Sequence, residues 1–244
     1  MIKKTNPKIL SEIQSEWDVL CENRQNVIDS GKDFSLLSVT APCIINALKE
    51  SNSNKILDVG CGTGYLTAQL SKYCNKCVGI DISSASISLA RSHYSNSNTE
   101  FIVSSIYNFK TTEKFDICVA NMVFSCDPNW IHSIQSIYKL LTTNGKLLIM
   151  LPHPCYWPKY WGFENANWFK HDEEIFIEHD FSLSLIKSLG TTTYIHRPLL
   201  MYINKICENN FLLEKIIEPY PICDLPNGYN YDYPRFIFMK FRKD

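Results

Sequence analysis

The chain has almost no net charge and no long apolar run. Its 24 Lys and Arg residues against 25 Asp and Glu residues leave a formal charge of −1 over 244 residues, so bulk electrostatics recruit neither nucleic acid nor an anionic membrane. No apolar run approaches the roughly 18 residues of a membrane span, and the opening MIKKTNPKILSEIQSEW lacks the apolar stretch of a secretory signal. We therefore expect a cytoplasmic protein with no membrane and no nucleic-acid partner.

The ten cysteines do not follow a disulfide or metal-ligand pattern. They are scattered through predicted helices and strands, which in a chain of this length without a secretory signal favours reduced thiols. Cys74 and Cys77 form a C-x-x-C pair, which keeps a metal or redox role open, but no second pair lies at zinc spacing. We expect no metal site.

Apolar spacing changes near residue 50. Before it, Ile9, Ile13, Trp17 and Leu20 recur at helical intervals, and a second helix is predicted from near Phe34 to Leu48. After it, short apolar segments alternate with amphipathic helical ones, which is typical of a parallel sheet covered on both faces. The predicted strands are Lys55–Val59, Lys76–Asp81, Glu100–Val103, Phe115–Asn121 and Lys146–Leu151.

The helix before the fifth strand and the end of the chain complete this pattern. Asp127 is a candidate N-cap, with Pro128 in the first turn of that helix. Another helix is predicted over Tyr194–Ile206, and two strands over Phe211–Pro219 and Arg235–Phe241. Because a Pro/Asn/Gly-rich connection rather than a helix joins these two strands, they should pair antiparallel at an edge of the sheet.

Three glycines at alternate positions follow the first strand. Gly60, Gly62 and Gly64 open a helix, where bare backbone and free N–H groups suit a nucleotide-like ligand. The dinucleotide pattern G-x-G-x-x-G would require a third glycine at the position of Tyr65. A nicotinamide-dependent oxidoreductase therefore remains only an alternative.

The spacing Asp58, Gly60, Gly62, Gly64, with VGIDIS ending the second strand at Asp81, resembles the class I S-adenosylmethionine-dependent methyltransferases. The resemblance implies S-adenosylmethionine as cofactor and an α/β fold with a Rossmann-like, seven-stranded, mainly parallel sheet, helices on both faces, an antiparallel edge hairpin and a substrate lid after the fifth strand. The resemblance covers Lys55 to about Leu151. Because no repeat or low-complexity tract divides the chain, we expect one domain over 1–244: a helical cap (1–50), a cofactor-binding core (51–151), the lid (152–196), and a last helix with the strand pair (197–244).

The same resemblance assigns roles to cofactor-binding residues. Asp58 and the loop Gly60, Cys61, Gly62, Thr63 and Gly64 would hold the methionine end. Asp81 would accept hydrogen bonds from both ribose hydroxyls, and Ile82 would lie against the adenine. Ser105 and Ile106 would stand beside the adenine, and Asn121 and Met122 would border the transferable methyl group.

The acceptor is predicted to be a small, planar or aromatic molecule. After the fourth strand the sequence reads ANMVFS, without the N/D-P-P-Y motif of base amino-methyltransferases or the Pro-Cys nucleophile of cytosine C5 enzymes. A nucleic acid or protein acceptor, and a non-catalytic S-adenosylmethionine-binding partner protein, remain alternatives. Whether the chain is a monomer or a homodimer is left open.

The lid supplies candidates for acceptor binding and catalysis. HPCYW and YIHRPL resemble bacterial small-molecule methyltransferases of the ubiquinone-biosynthesis type. His153 is the candidate general base, because histidine titrates near neutral pH, and His196 is a second candidate. The candidate substrate residues are Tyr156, Trp157, Trp161, Tyr194 and Arg197, the last of which could bind an acceptor carboxylate.

Overall fold

A seven-stranded sheet forms the centre of the protein. The computed structural model describes residues 2–49, 53–184, 186–224 and 231–244, without the side chains of residues 187 and 188. The strands of this sheet are β2 Lys55–Val59, β3 Lys76–Asp81, β4 Thr99–Val103, β5 Phe115–Asn121, β6 Leu141–Pro152, β9 Phe211–Ile217 and β10 Phe236–Lys243. They run in the order β4-β3-β2-β5-β6-β10-β9.

Strands β2 to β6 are parallel, whereas β10 pairs antiparallel with both β6 and β9. This confirms the predicted fold class, including the antiparallel edge pair. All five predicted parallel strands are found, three of them with the predicted bounds. Part of the predicted Pro/Asn/Gly-rich connection, residues 225–230, lies outside the described residues.

Helices cover both faces of this sheet because neighbouring strand residues point to opposite sides. The helices are α1 Leu10–Asp29, α2 Ala41–Lys49, α3 Tyr65–Leu70, α4 Ser84–Tyr94, α5 Trp130–Leu140, α6 Trp157–Tyr160 and α7 Leu199–Glu208. Leu57 of β2 packs with residues of α5 and α7, whereas Ile56 packs on the other face with residues of α2 and α3. A π-helix, Ser35–Thr40, leads directly into α2, and a 3₁₀ turn, Ser71–Tyr73, follows α3.

A second sheet, which was not predicted from the sequence, is formed mainly by the segment that follows β6. Its strands β1 (Lys3–Lys4), β7 (Ile175–Leu183) and β8 (Ile186–His196) are antiparallel, in the order β1-β7-β8. The N-terminus therefore contributes a strand to the region after β6, and α1 packs against β8.

Two sequence predictions about helix starts were wrong. Tyr194 belongs to strand β8 rather than to a helix, and α7 begins only after Pro198, whose extended backbone (ψ 143°) forms its N-cap. The reason is steric, since the residue before a proline is disfavoured in helical geometry. In α5 the N-cap is Asn129; the Asp127 carboxylate accepts the Asn129 backbone N–H at 2.7 Å instead of capping the helix itself.

No helix in the described part of the chain is both long enough and apolar enough to cross a membrane. All ten cysteines are free thiols, Cys74 and Cys77 included. Among the described residues, no cluster of three or more His, Cys, Asp or Glu side chains could hold a metal ion.

Candidate functional site

The glycine loop after β2 has a backbone that only glycine adopts easily. Gly60, Gly62 and Gly64 have φ values of +67°, +54° and +90°, in the left-handed region that penalises a side chain. A Cβ on Gly60 would lie 2.5 Å from Val123 Cγ2, and one on Gly64 would lie 2.8 Å from the Ala90 Cβ. By contrast, a Cβ on Gly62 would meet no atom within 4 Å. Glycine at positions 60 and 64 thus allows neighbouring side chains to pack closely against the loop. At Gly62 the backbone instead borders open space, which a ligand could fill.

Asp81 ends β3 next to this loop. Its Oδ2 accepts the Gly62 backbone N–H and its Oδ1 accepts the Ser83 backbone N–H, both at 2.8 Å. Burial raises the pKa of the Asp81 carboxyl, against these two hydrogen bonds that lower it. Each oxygen has a second lone pair, so the carboxylate can still accept a hydrogen bond at each oxygen.

Asp58 is the most buried carboxyl of the loop region. It is 1% exposed, and its Oδ2 accepts the Thr67 hydroxyl at 2.7 Å. Burial, with a smaller contribution from the charge of Asp81, raises the pKa of Asp58 to about 7, although the Thr67 hydrogen bond lowers it. The group therefore changes charge near neutral pH, and a cation placed beside it would favour its ionised form.

A single cavity of about 260 Å³ joins the carboxyl ends of the parallel strands to the second sheet and α1. Most of the predicted cofactor-binding residues line it: Asp58, Gly60, Cys61, Gly62, Thr63, Asp81, Ile82, Ser105, Ile106, Asn121 and Met122. Gly64 forms the N-cap of α3 behind the loop. Of the predicted substrate residues, Trp157, Trp161 and Tyr194 line the same cavity.

Apart from Asp33 Oδ2, which lies 3.4 Å from Arg24 Nη1 in an ion pair, four buried polar atoms of the cavity-lining residues have no hydrogen-bond partner in the described part of the protein. They are Ser105 Oγ, Asn121 Oδ1, Trp157 Nε1 and Thr192 Oγ1. Buried polar atoms are rarely left in this state, because each loses its hydrogen bonds to water without replacement. Their grouping around one cavity indicates a ligand with several hydrogen-bonding groups. Ser105 and Asn121 lie at the strand ends, whereas Trp157 and Thr192 lie in the lid.

Helix α1 forms part of the cavity wall. Ile13, Trp17 and Cys21 line the cavity, and the Trp17 ring packs edge-on against Phe181 of β7 at 5.3 Å between ring centroids. The Asp18 carboxylate accepts the Ser83 hydroxyl at 2.5 Å. This bond attaches α1 to the residues that follow β3, close to Asp81.

The two candidate catalytic histidines are held away from the cavity. Neither His153 nor His196 is among its described lining residues. His153 Nε2 lies 3.0 Å from Glu218 Oε1, and His196 Nε2 lies 3.0 Å from the His171 carbonyl. Burial lowers the pKa of both rings, that of His196 to about 4. Tyr156 lies beside His153 at 4.6 Å between ring centroids and is likewise outside the described cavity wall.

Arg197 supports the loop after β5 and does not face the cavity. Its guanidinium, 0% exposed, donates to the carbonyls of Phe124 at 2.5 Å and Asp127 at 3.0 Å, and also to Glu174. Because the guanidinium is fully buried and each of its three nitrogens already donates within the protein, it is not placed to bind an acceptor carboxylate in the cavity. Two arginines line the cavity: Arg24, whose Nη1 lies 3.4 Å from Asp33 Oδ2, and Arg235, whose guanidinium lies 4.0 Å from the centre of the Tyr160 ring.

Several lid residues that line the cavity were missed from the sequence, among them His179, Phe181 and Thr192. The segment IFIEHDF (175–181) alternates between inward and outward residues, which is a strand signal. Applied there, that signal predicts Ile177, His179 and Phe181 on one face.

A family model described as a methyltransferase domain matches residues 50–181. The malonyl-[acyl-carrier protein] O-methyltransferase of Bacillus cereus is 30% identical over 116 residues, 47% of this chain and 42% of the relative. The chain thus aligns with less than half the length of this curated relative.

Solved structures show the same fold. An S-adenosylmethionine-dependent methyltransferase from Clostridium acetobutylicum superposes with a TM-score of 0.62, at 16% identity, over 91% of this chain and 99% of that one. The N-methyltransferase NodS from Bradyrhizobium japonicum, in complex with S-adenosylhomocysteine, gives a TM-score of 0.56 at 16% identity, over 83% and 85% of the two chains.

Proposed function

The chain belongs to the methyltransferase-domain family of class I S-adenosylmethionine-dependent enzymes, and we propose that it transfers a methyl group to an oxygen or nitrogen atom of a small planar molecule. One observation carries the proposal: a single cavity runs from the glycine loop and Asp81 to an aromatic wall in the lid. Such a cavity holds a donor and an acceptor side by side. A protein that only binds the cofactor would not need the acceptor half of the cavity, next to the aromatic wall.

The residues around the strand ends fit S-adenosylmethionine. Bare backbone at Gly62 accommodates a close ligand, and Asp81 keeps a free lone pair on each oxygen for two ribose hydroxyls. Asp58, whose pKa is about 7, suits the positive ammonium of the methionine end. The unpartnered Ser105 Oγ and Asn121 Oδ1 are available to polar edges of the cofactor. Ile82 and Ile106 would cover the adenine.

The bound sulfonium supplies an already activated methyl group. The protein then has to align the acceptor, exclude water and accommodate the proton that an acceptor O–H or N–H gives up. Met122, at φ +65° directly after β5, turns the chain at the cavity wall, beside the position proposed for the methyl group. Trp157, Trp161 and Tyr194 exclude water from the acceptor half.

The acceptor class is inferred from this wall. Trp157 packs against Trp161 at 4.9 Å and against Tyr194 at 6.4 Å between ring centroids, and such a surface suits a planar, apolar body. We therefore propose a small-molecule acceptor and a subtype similar to the ubiquinone-biosynthesis methyltransferases. A cytoplasmic location is a separate proposal, which rests on the near-zero net charge and the lack of long apolar runs. A free or carrier-bound carboxylate acceptor is a second candidate, favoured by Arg235 on the cavity wall. It would parallel the named activity of the Bacillus cereus relative.

The test begins with calorimetric titration of the purified chain with S-adenosylmethionine, S-adenosylhomocysteine and NADH. Binding of the two sulfur compounds without NADH supports the cofactor half of the proposal, and binding of NADH alone overturns it. A panel of phenols, aromatic amines and aromatic carboxylates, incubated with methyl-labelled cofactor, then tests transfer. Label in a phenol or amine supports the proposal, and label only in carboxylates favours the second candidate. An Arg235→Met variant separates the two, since only carboxylate methylation should depend on its charge.

A further inference from the structure

Strands β7 and β8 present one face of the second sheet to the cavity. In their antiparallel register Ile177 is opposite Tyr194, His179 is opposite Thr192, and Phe181 is opposite Gly190. Directly opposite residues point to the same side of a sheet. His179, Phe181, Thr192 and Tyr194 all line the cavity. In the middle of this wall His179 and Thr192 lie opposite each other, with Tyr194 on one side of the pair and Phe181 on the other. Ser182 and Thr193 of the same strands, and Ser184 between them, also line the cavity.

The buried hydroxyl of Thr192 makes no hydrogen bond within the described part of the protein. The residue is 2% exposed, and its Oγ1 has no hydrogen-bond partner in the part of the chain that the structure describes. A valine would have the same shape without that cost. A hydroxyl in this position gains its hydrogen bond when a polar group enters the cavity. Thr192 can donate one hydrogen bond and accept others.

His179 has a defined tautomer. It is 3% exposed, and its Nδ1 lies 3.2 Å from the Asp180 carbonyl oxygen. A carbonyl only accepts, so Nδ1 carries the proton. Burial lowers the pKa of His179 to about 3, so the ring stays neutral at physiological pH. Its Nε2 is therefore a hydrogen-bond acceptor, while the Trp161 ring packs against the imidazole at 3.6 Å between ring centroids.

The pair thus offers an acceptor nitrogen beside a hydroxyl that can donate. A neutral hydroxyl group complements both, because it donates one hydrogen bond and accepts another. A carboxylate cannot donate to Nε2, and an ether or a ketone cannot either. The neighbouring Trp157 Nε1, a donor with no partner among the described residues, could serve a further oxygen of the same molecule.

We propose that His179 and Thr192 bind a hydroxyl group of the methyl acceptor, which makes the acceptor a hydroxylated aromatic molecule. The inference rests on the proposed function, because it takes the lid half of the cavity as the acceptor site. It assigns specificity to two residues of the second sheet and does not require either of them to move a proton.

Binding of matched probes tests this proposal without the natural acceptor. The protein is first saturated with S-adenosylhomocysteine, and 2-naphthol, 2-methoxynaphthalene, naphthalene and 2-naphthoate are then titrated. We expect 2-naphthol to bind about 10-fold or more tightly than the ether and the hydrocarbon, as one or two hydrogen bonds imply. Equal binding of all the probes, or preference for 2-naphthoate, overturns the proposal.

Variants assign the preference to the pair. Thr192→Val should reduce the preference for 2-naphthol over 2-methoxynaphthalene to within about threefold. Thr191→Val, the same change at an exposed position of the same strand, should leave it intact. Because Thr192→Val removes an unpartnered buried hydroxyl, the variant should also melt no lower than the wild type. A lowered melting temperature together with an unchanged probe preference would mean that the hydroxyl is structural.

His179→Phe should lose the same preference, whereas His179→Gln, which keeps an acceptor, should retain part of it.

Failure of this inference is distinguishable from failure of the proposed function. If S-adenosylhomocysteine does not bind the wild type, the cofactor assignment itself is wrong. If it binds but 2-naphthol shows no preference, only the role of His179 and Thr192 is overturned.

Discussion

The Gly62 backbone N–H donates to Asp81 Oδ2 at 2.8 Å, joining the glycine loop to the end of the neighbouring strand. The Ser83 N–H holds the other carboxylate oxygen. The carboxylate is therefore oriented before any ligand arrives, so little rotamer entropy has to be lost on binding. The same bond makes the loop and the carboxylate one binding unit.

Asp81→Asn should weaken binding of S-adenosylhomocysteine by about 2–3 kcal/mol, because the charge-assisted hydrogen bonds to ribose hydroxyls are lost. The amide keeps one acceptor oxygen and nearly the same shape. Titration calorimetry measures the change. Asp172→Asn, on an exposed segment of the lid, is the control and should bind as the wild type does. An Asp81→Asn protein with unchanged affinity would remove this residue from the ribose site.

Cofactor affinity should rise with pH between about 6 and 8. The folded-state pKa of Asp58, about 7, lies above its ordinary value of 3.8, so the unliganded protein holds a proton that an ammonium-bearing ligand displaces. Calorimetry in two buffers of different ionisation enthalpy should detect proton release near pH 6.5. Asp58→Asn should flatten the pH dependence, and a variant with the wild-type slope would contradict the assignment.

The same pKa has a consequence for stability. A carboxyl whose pKa is raised on folding contributes stability that is complete below about pH 4 and is lost as the pH rises through about 7. The wild type should therefore lose melting temperature relative to Asp58→Asn as the pH is raised from 5 to 8. Parallel curves for the two proteins would contradict a raised pKa.

Gly64→Ala should mainly reduce the stability of the fold, whereas Gly62→Ala should mainly reduce cofactor affinity. At Gly64 a Cβ meets the Ala90 Cβ at 2.8 Å in a left-handed backbone, so we expect a loss of about 2–4 kcal/mol in the free energy of unfolding. At Gly62 the added methyl group enters open space, so stability should fall by about 1 kcal/mol while cofactor affinity falls much more. Urea unfolding and calorimetry separate the two effects. Equal losses of stability would contradict the packing role of Gly64.

Arg197→Met should destabilise the protein by about 3 kcal/mol, since the carbonyls of Phe124 and Asp127 lose their buried donor. Urea unfolding measures this loss. Arg242→Met, which replaces a partly exposed side chain paired with Glu214, should cost less than about 1 kcal/mol. If Arg197→Met instead kept wild-type stability, the arginine would be free for a ligand after all.

The central sheet and the cofactor half of the site could be predicted because their signals are local. The strand Lys55–Val59 is a short apolar run. The alternate glycines that follow it indicate a loop with positive φ angles, because glycine adopts such angles most easily. Asp81 ends an equally clear strand. Each of these features depends on neighbours within about ten residues, with no need to know which segments meet in space.

The acceptor half of the site could not be predicted from the sequence, because it is formed by segments that are distant along the chain. Lys3 and Lys4 pair with β7 more than 170 residues later, and no local pattern predicts such a pairing. His153 follows its strand as a catalytic group would, yet its ring turns to Glu218, a partner 65 residues away. The role of Arg197 is hidden in the sequence for the same reason, since the carbonyls that hold its guanidinium belong to Phe124 and Asp127, 70 or more residues earlier.

The position of β10 between β6 and β9 constrains how the protein can be made. β10 follows every other strand of the central sheet in the sequence, yet it is an interior strand. During synthesis the β6 edge, with its apolar residues, stays uncovered until β10 has left the ribosome. We therefore expect folding to be completed after translation of residue 243, and a chain cut before Phe236 to aggregate rather than retain a partial cofactor site.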